Sequence, residues 1–338
     1  MKSLIVVLPI LGCCVAALAQ PAVDRVVSPS QSGTPQFRRK IPGGAGTLLR
    51  DPSTQQVPEL FPGEIEDVGP QFLIARPQAA QPEHRWVDAF FDMQLFYTSN
   101  ALLTEKARQD TSVMVLTLQA AINLPPFEFL GGTMAPRAGY RHQWWMYSLD
   151  DTSNQLNNFD FAIGSVFAGF RHSWDDRWVA TVSLDYNRYL AHEDEWAEFY
   201  TEFVPNWSLE YNIPIGDEGK AQLTLGYYGA YHFTHTDPSP VEHINDRLDN
   251  AIGFVYTREL LPKLYIQPYY RLQWSHYTEN SDRNDVYNNA GIGVLYAFTD
   301  WAAIRAFVSF ENRNSTDDTV ADYNKWDTGG GVTISVGF

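Results

Sequence analysis

Thiols are almost missing from this chain. Its 338 residues hold two cysteines, Cys13 and Cys14, both near the N-terminus. Once that stretch is removed, disulfides, thiolate metal sites and cysteine nucleophiles are excluded together. Basic charge is scarce as well: 24 Lys and Arg stand against 40 Asp and Glu, a net charge of −16. Nucleic-acid binding needs a basic patch, so that class is set aside. Nor does any segment after the N-terminal apolar run approach eighteen consecutive apolar residues, which leaves no candidate transmembrane helix there. The mean hydropathy of −0.28 looks soluble, but it does not exclude strands in a membrane, because there every second residue faces water.

The N-terminus reads as a removable signal. Met1-Lys2 precedes an apolar run from Leu4 to Leu11, and Ala17-Leu18-Ala19 offers a small-x-small cleavage site. Residues 1–19 are therefore expected to be a signal peptide. Ile10-Leu11-Gly12-Cys13 loosely resembles a lipoprotein box, against which the bulky Leu11 and the short apolar core both count. Residues 20–83 hold ten of the twenty prolines and neither Trp nor Tyr. Such composition cannot bury enough apolar surface to fold, so this region is expected to be a disordered, proline-rich periplasmic leader.

From His84 onward all ten Trp and all eighteen Tyr are interleaved with polar residues. Two-residue alternation predicts about twelve strands, near 85–98, 111–123, 133–148, 158–174, 177–190, 199–213, 221–235, 246–260, 264–277, 285–299, 301–314 and 326–338. Their connections alternate between short and long through most of the chain, with Leu124 to Gly132 as the exception, a long link where a short one belongs. About ten residues at roughly 3.3 Å each, tilted near 45°, rise about 23 Å, close to the apolar band of a membrane barrel.

The last strand carries the clearest pattern. Val332, Ile334, Val336 and Phe338 are apolar, and Thr333, Ser335 and Gly337 between them are small or polar. This ending resembles the closing strand of Gram-negative outer-membrane β-barrels, which commonly finish on Phe. The resemblance is at superfamily level. It implies an all-β, transmembrane antiparallel barrel over residues 84–338, localised to the outer membrane. It also implies outer-membrane lipid and lipopolysaccharide as surroundings, and the barrel-assembly machinery as a partner of the last strand.

Extending the alternation sorts side chains by face. Leu264, Ile266, Pro268, Tyr270, Leu272 and Trp274 fall on one side, and Tyr265, Gln267, Tyr269, Arg271 and Gln273 on the other. The same rule places Asp88, Asp92, Arg137, Arg141, Asp185, Glu202, Glu210, Arg247, Asp249, Arg271, Arg305, Glu311 and Arg313 toward the lumen as candidate selectivity residues. Ion pairs that merely hold the wall together account for them equally well. Trp86, Trp174, Trp178, Trp207, Trp274, Trp301 and Trp326 are expected near strand ends as interface aromatics. Twelve strands lie between a filled eight-stranded barrel and an open sixteen-stranded one, so any passage is expected to be narrow.

Catalytic and metal chemistry find little support. His172 and Ser173 in Arg171-His172-Ser173-Trp174 are adjacent, so a strand separates them to opposite faces and breaks a nucleophile–base contact. His232 and His235 are separated in the same way. The acidic runs at His192-Glu193-Asp194-Glu195 and Asp317-Asp318 lack the ordered spacing of a calcium loop. No metal or cofactor is expected. The functional expectation is a narrow porin-like channel for small polar solutes. The alternative is a non-conducting structural or adhesive barrel, and a lipid hydrolase ranks below both.

Overall fold

A computed structural model describes residues 86–337, apart from 102, 104–109, 148–159, 175–176, 192–195, 217–220, 237–242, 244, 280–282, 300, 318–319 and 321. The expected signal peptide, the expected leader and Phe338 lie outside the described residues. Thirteen strands follow one another: β1 (Val87–Thr98), β2 (Thr111–Asn123), β3 (Phe127–Phe129), β4 (Gly132–Met146), β5 (Phe161–Trp174), β6 (Trp178–Ala191), β7 (Ala197–Ile215), β8 (Ala221–Thr236), β9 (Arg247–Leu261), β10 (Leu264–Tyr277), β11 (Asn284–Tyr296), β12 (Ala302–Ser315) and β13 (Tyr323–Gly337). All pairings are antiparallel. β13 returns to β1, with Asp88 opposite Gly337 and Thr98 opposite Asp327, so the sheet closes on itself.

β2 pairs directly with β4 as well as with β1, which leaves β3 outside the ring and twelve strands within it. β3 accounts for the overlong second connection. It folds back on β4 through Leu130 and Gly131, both at positive φ (45° and 74°), as a tight two-residue hairpin turn requires. The chain between Asn123 and Gly132 thus extends the sheet beyond the barrel wall instead of forming a loose loop. With an even ring, β1 begins and β13 ends on the same rim, beside the short connections.

Four prolines sit inside strands, and two of them interrupt a ladder. No rung of the β7–β8 ladder lies between Phe203 and Asn206, around Pro205. None of the β9–β10 ladder lies between Ile266 and Tyr269, around Pro268. Proline has no N–H to donate, so a rung is lost locally and the flanking register holds.

The faces are inverted relative to a soluble protein. Leu118, Val166, Leu184, Leu209, Leu225, Ile252, Ile292, Ile304 and Val308 point outward and are exposed, while most inward neighbours are buried and many of them are polar. Water would not stabilise such a surface, since apolar area favours a non-aqueous medium at about 25 cal/mol per Å². Lipid does, and apart from the rungs lost beside Pro205 and Pro268 the strands of the closed ring pair with a neighbour on either side. The fold is a transmembrane antiparallel β-barrel.

Candidate functional site

The interior begins at the seam where the first and last strands meet. Gly331 of β13 lies between Gln94 of β1 and Arg305 of β12, and Gly329 between Phe96 and Phe307. Both glycines face inward, and because they carry no side chain, β1 and β12 touch across β13. Through the first gap, Arg305 grips Asp92 with both arms, Nη1 to Oδ1 at 2.8 Å and Nη2 to Oδ2 at 2.6 Å. Thr333 donates to the same Asp92 Oδ1 at 2.6 Å and accepts from Arg305 at 2.8 Å, while Gln94 donates to Oδ2 at 2.8 Å. Across the second gap the rings of Phe96 and Phe307 stand 6.2 Å apart. A Cβ on Gly329 would sit 2.3 Å from Phe96 Cβ, so alanine already does not fit.

Toward the rim with the long connections, the interior divides into two arcs. From β7 to β13 it is charged. His232 holds its Nδ1 2.7 Å from Glu202 Oε2 and its Nε2 3.1 Å from Asp249 Oδ2, an arrangement that an imidazolium satisfies with both N–H groups. Arg247 Nε donates to Asp249, and Tyr189 and Asn187 donate to Glu202. Further round, Tyr323 donates to Glu311 at 2.5 Å, and Lys325 Nζ lies 3.7 Å from Glu311 and 3.6 Å from Asp327. Arg283 pairs with Asp285 at 2.7 Å and lies over the Tyr277 ring, as Arg313 does over Tyr323.

From β1 to β7 the corresponding arc is aromatic. Trp145 and Phe161 stack at 5.6 Å with 8° between planes, flanked by Tyr147, and Tyr189 meets Tyr200 edge-on at 5.1 Å. Val113, Val115 and Ile163 complete a buried apolar cluster inside the barrel. The Tyr189 hydroxyl, bound to Glu202, joins one arc to the other.

Every charged residue expected in the lumen lies on the inward face of its strand, but they do not form one lining. Arg141 reaches Asp185 at 4.0 Å, Arg137 lies over the Phe167 ring, and Arg271 lies over Tyr228 and donates to Gln273. Asp88 accepts from Asn123 at 2.7 Å, and Glu210 is buried. Sequence reasoning missed Arg171, Arg283, Asp285, Lys325 and Asp327, all buried and inward. Lys325 fell just before the expected start of the last strand, which begins at Tyr323. Extending the alternation backward from Thr333 would have found both it and Asp327.

The tryptophans sort by height. Trp86, Trp174, Trp178 and Trp301 stand at the rim of short connections, and Trp274 and Trp326 near the upper ends of β10 and β13. Trp207 departs from the expected placement: it lies in the middle of β7, facing out, with its ring over Gly229 of β8. His172 faces out beside Trp174 and Phe129, whereas Ser173 faces in and donates to Thr133 O at 3.5 Å. His232 is buried and His235 exposed, on opposite faces. Among the described residues no three His, Cys, Asp or Glu side chains are gathered as a metal would need.

No family model matches the chain, and no curated protein matches it in sequence. Solved structures do. An outer-membrane channel from Pseudomonas putida F1 is 8% identical, with a TM-score of 0.49 over 76% of this chain and 97% of that one. The translocator domain of the autotransporter NalP from Neisseria meningitidis is 15% identical, with a TM-score of 0.37 over 75% and 89%. The KdgM porin is 10% identical, with a TM-score of 0.37 over 72% and 98%. All three are outer-membrane β-barrels.

Proposed function

We propose that this chain is an outer-membrane barrel whose interior is sealed at rest, so that its role lies in its outer surface and loops rather than in an open pore. In this reading residues 1–19 direct export, residues 20–83 lie in the periplasm, and the last strand engages the assembly machinery. One observation carries it. Inward side chains from all round the ring are out of contact with water: Gln143 of β4, His232 of β8 and Arg247 of β9 are 0% exposed, and Lys325 of β13 1%. A conduit running past these side chains would leave them wetted. Planar-bilayer recording of folded, full-length protein tests the proposal, with no steady conductance as the expected result. Sustained open-channel current would overturn it.

A second reading keeps the narrow porin-like channel for small polar solutes. It is favoured by the presence of both charge signs in one interior arc, which would give a solute path a transverse field. Conduction would then require Arg271, Arg305 or their partners to move, and Arg271→Ala or Arg305→Ala would shift ion selectivity toward cations. Catalysis has no place in either reading, and Ser173→Ala is expected to leave lipid composition unchanged.

A further inference from the structure

The outward wall of β4, β5 and β6 is not uniformly apolar. His142 of β4 points away from the interior, between Arg141 and Gln143, which are buried on the inward face. Trp144 and Met146 stand above it on the same outward face, so the imidazole lies within the lipid-facing belt rather than at its edge. In register with His142 comes Gly164 of β5, and in register with Gly164 comes Arg188 of β6. Below them on the same three strands are Tyr140, Val166 and Tyr186, all exposed. The Tyr140 hydroxyl is 2.9 Å from His142 Nδ1, and a Cβ on Gly164 would lie 3.0 Å from that hydroxyl. The middle strand is therefore bare where the flanking strands carry aromatic and ionisable groups.

Hydrocarbon cannot satisfy this patch. Whichever tautomer His142 adopts, Nδ1 is engaged with Tyr140, and Nε2 has no hydrogen-bond partner among the described residues. A ring nitrogen left facing lipid costs free energy that a protein surface would recover. Ionisable side chains at such depth pair with other protein groups. Arg188 stands higher. From Trp178 to Arg188 a strand tilted near 45° rises about 23 Å, so the guanidinium reaches headgroup level. There Glu198 of β7 holds it at 2.5 Å, in a pair that remains partly exposed.

One face thus carries a cation and an anion, and hydroxyl donors beside an imidazole. That combination is self-complementary: a two-fold axis would set Arg188 of each copy against Glu198 of the other. A glycine in the middle strand lets two walls approach closely. Tyr, Trp and Arg are also the side chains that anchor protein interfaces.

We propose that the face around Gly164, formed by Tyr140, His142, Tyr186 and Arg188, binds a second copy of this chain and makes the barrel a two-fold dimer. This rests on the transmembrane barrel but not on the sealed interior, which conductance tests separately.

Both cysteines fall in the expected signal peptide, so one introduced thiol reports contact in the exported protein. Val166→Cys places it beside Gly164, and Ile292→Cys places it on β11 across the ring, also facing out. Full-length protein in outer membranes is treated with a short bis-maleimide. The expected result is roughly tenfold more cross-linked dimer from Val166→Cys than from Ile292→Cys, and loss of that excess in Val166→Cys/His142→Ala/Arg188→Ala. Equal yields from the two positions, none included, overturn the proposal, as does an excess untouched in the triple variant. A cross-linked band at another mass assigns the face to a different protein and overturns it too. Should the triple variant not fold, light scattering from wild-type protein in mild detergent decides the question. Twice the chain mass supports the dimer, and a single chain mass removes it.

Discussion

The aromatic and charged arcs fill the same cavity by different physics. Trp145, Phe161, Val113 and Ile163 need only shape and contact, since dispersion and hydrophobic burial are non-directional. In the other arc, each group in the series Tyr189, Glu202, His232, Asp249 and Arg247 depends on the next for its hydrogen bonds. Withdrawing one member of a buried ion pair leaves an uncompensated charge, whereas withdrawing an apolar member leaves a void. The charged arc is therefore stiff and specific, and the aromatic arc tolerant. A barrel that must avoid alternative registers gains more from the first at its seam than from the second. Asp92 and Arg305 stand at that seam.

Substitutions at four positions test the contrast. The largest effect is expected from Gly329→Val, at the boundary of the two arcs. Its side chain would collide with Phe96 and with the Leu95 carbonyl, so β13 does not seat and no compact band forms on an unheated gel. Next, Arg305→Leu leaves Asp92 buried without its partner and should destabilise the barrel by about 3–5 kcal/mol in detergent unfolding. Asp92→Leu/Arg305→Leu should recover most of that loss; failure to recover would show that the pair acts by more than mutual neutralisation. The smallest effect is expected in the aromatic arc. Trp145→Phe retains an apolar ring in the stack with Phe161 and should cost about 1 kcal/mol, within the range for shape changes in a packed core. A larger loss than that of Arg305→Leu would reverse the ranking of the arcs.

Much of the wall was legible because a strand's period is two and one face meets lipid. That rule set the outward Ile304 and Val308 against the inward Arg305 and Ser309, and did the same for Leu264 through Trp274. The β3 hairpin was not legible, because three residues are too few to show a period. Trp207 was misplaced although the expected strand 199–213 shares its midpoint with β7; it sits at mid-strand, where its ring settles over a glycine on the next strand.

Alternation alone determined which residues share a face of each strand; that the apolar face looks outward was implied by the resemblance of the last strand and follows from the closure of the ring. Partnership was decided only in three dimensions. Asp92 and Arg305 lie far apart in the chain, and nothing local marks them as a pair. They meet because the ring closes and Gly331 leaves the intervening strand bare. Periodicity is a property of one strand, whereas a contact across the seam belongs to the register of three.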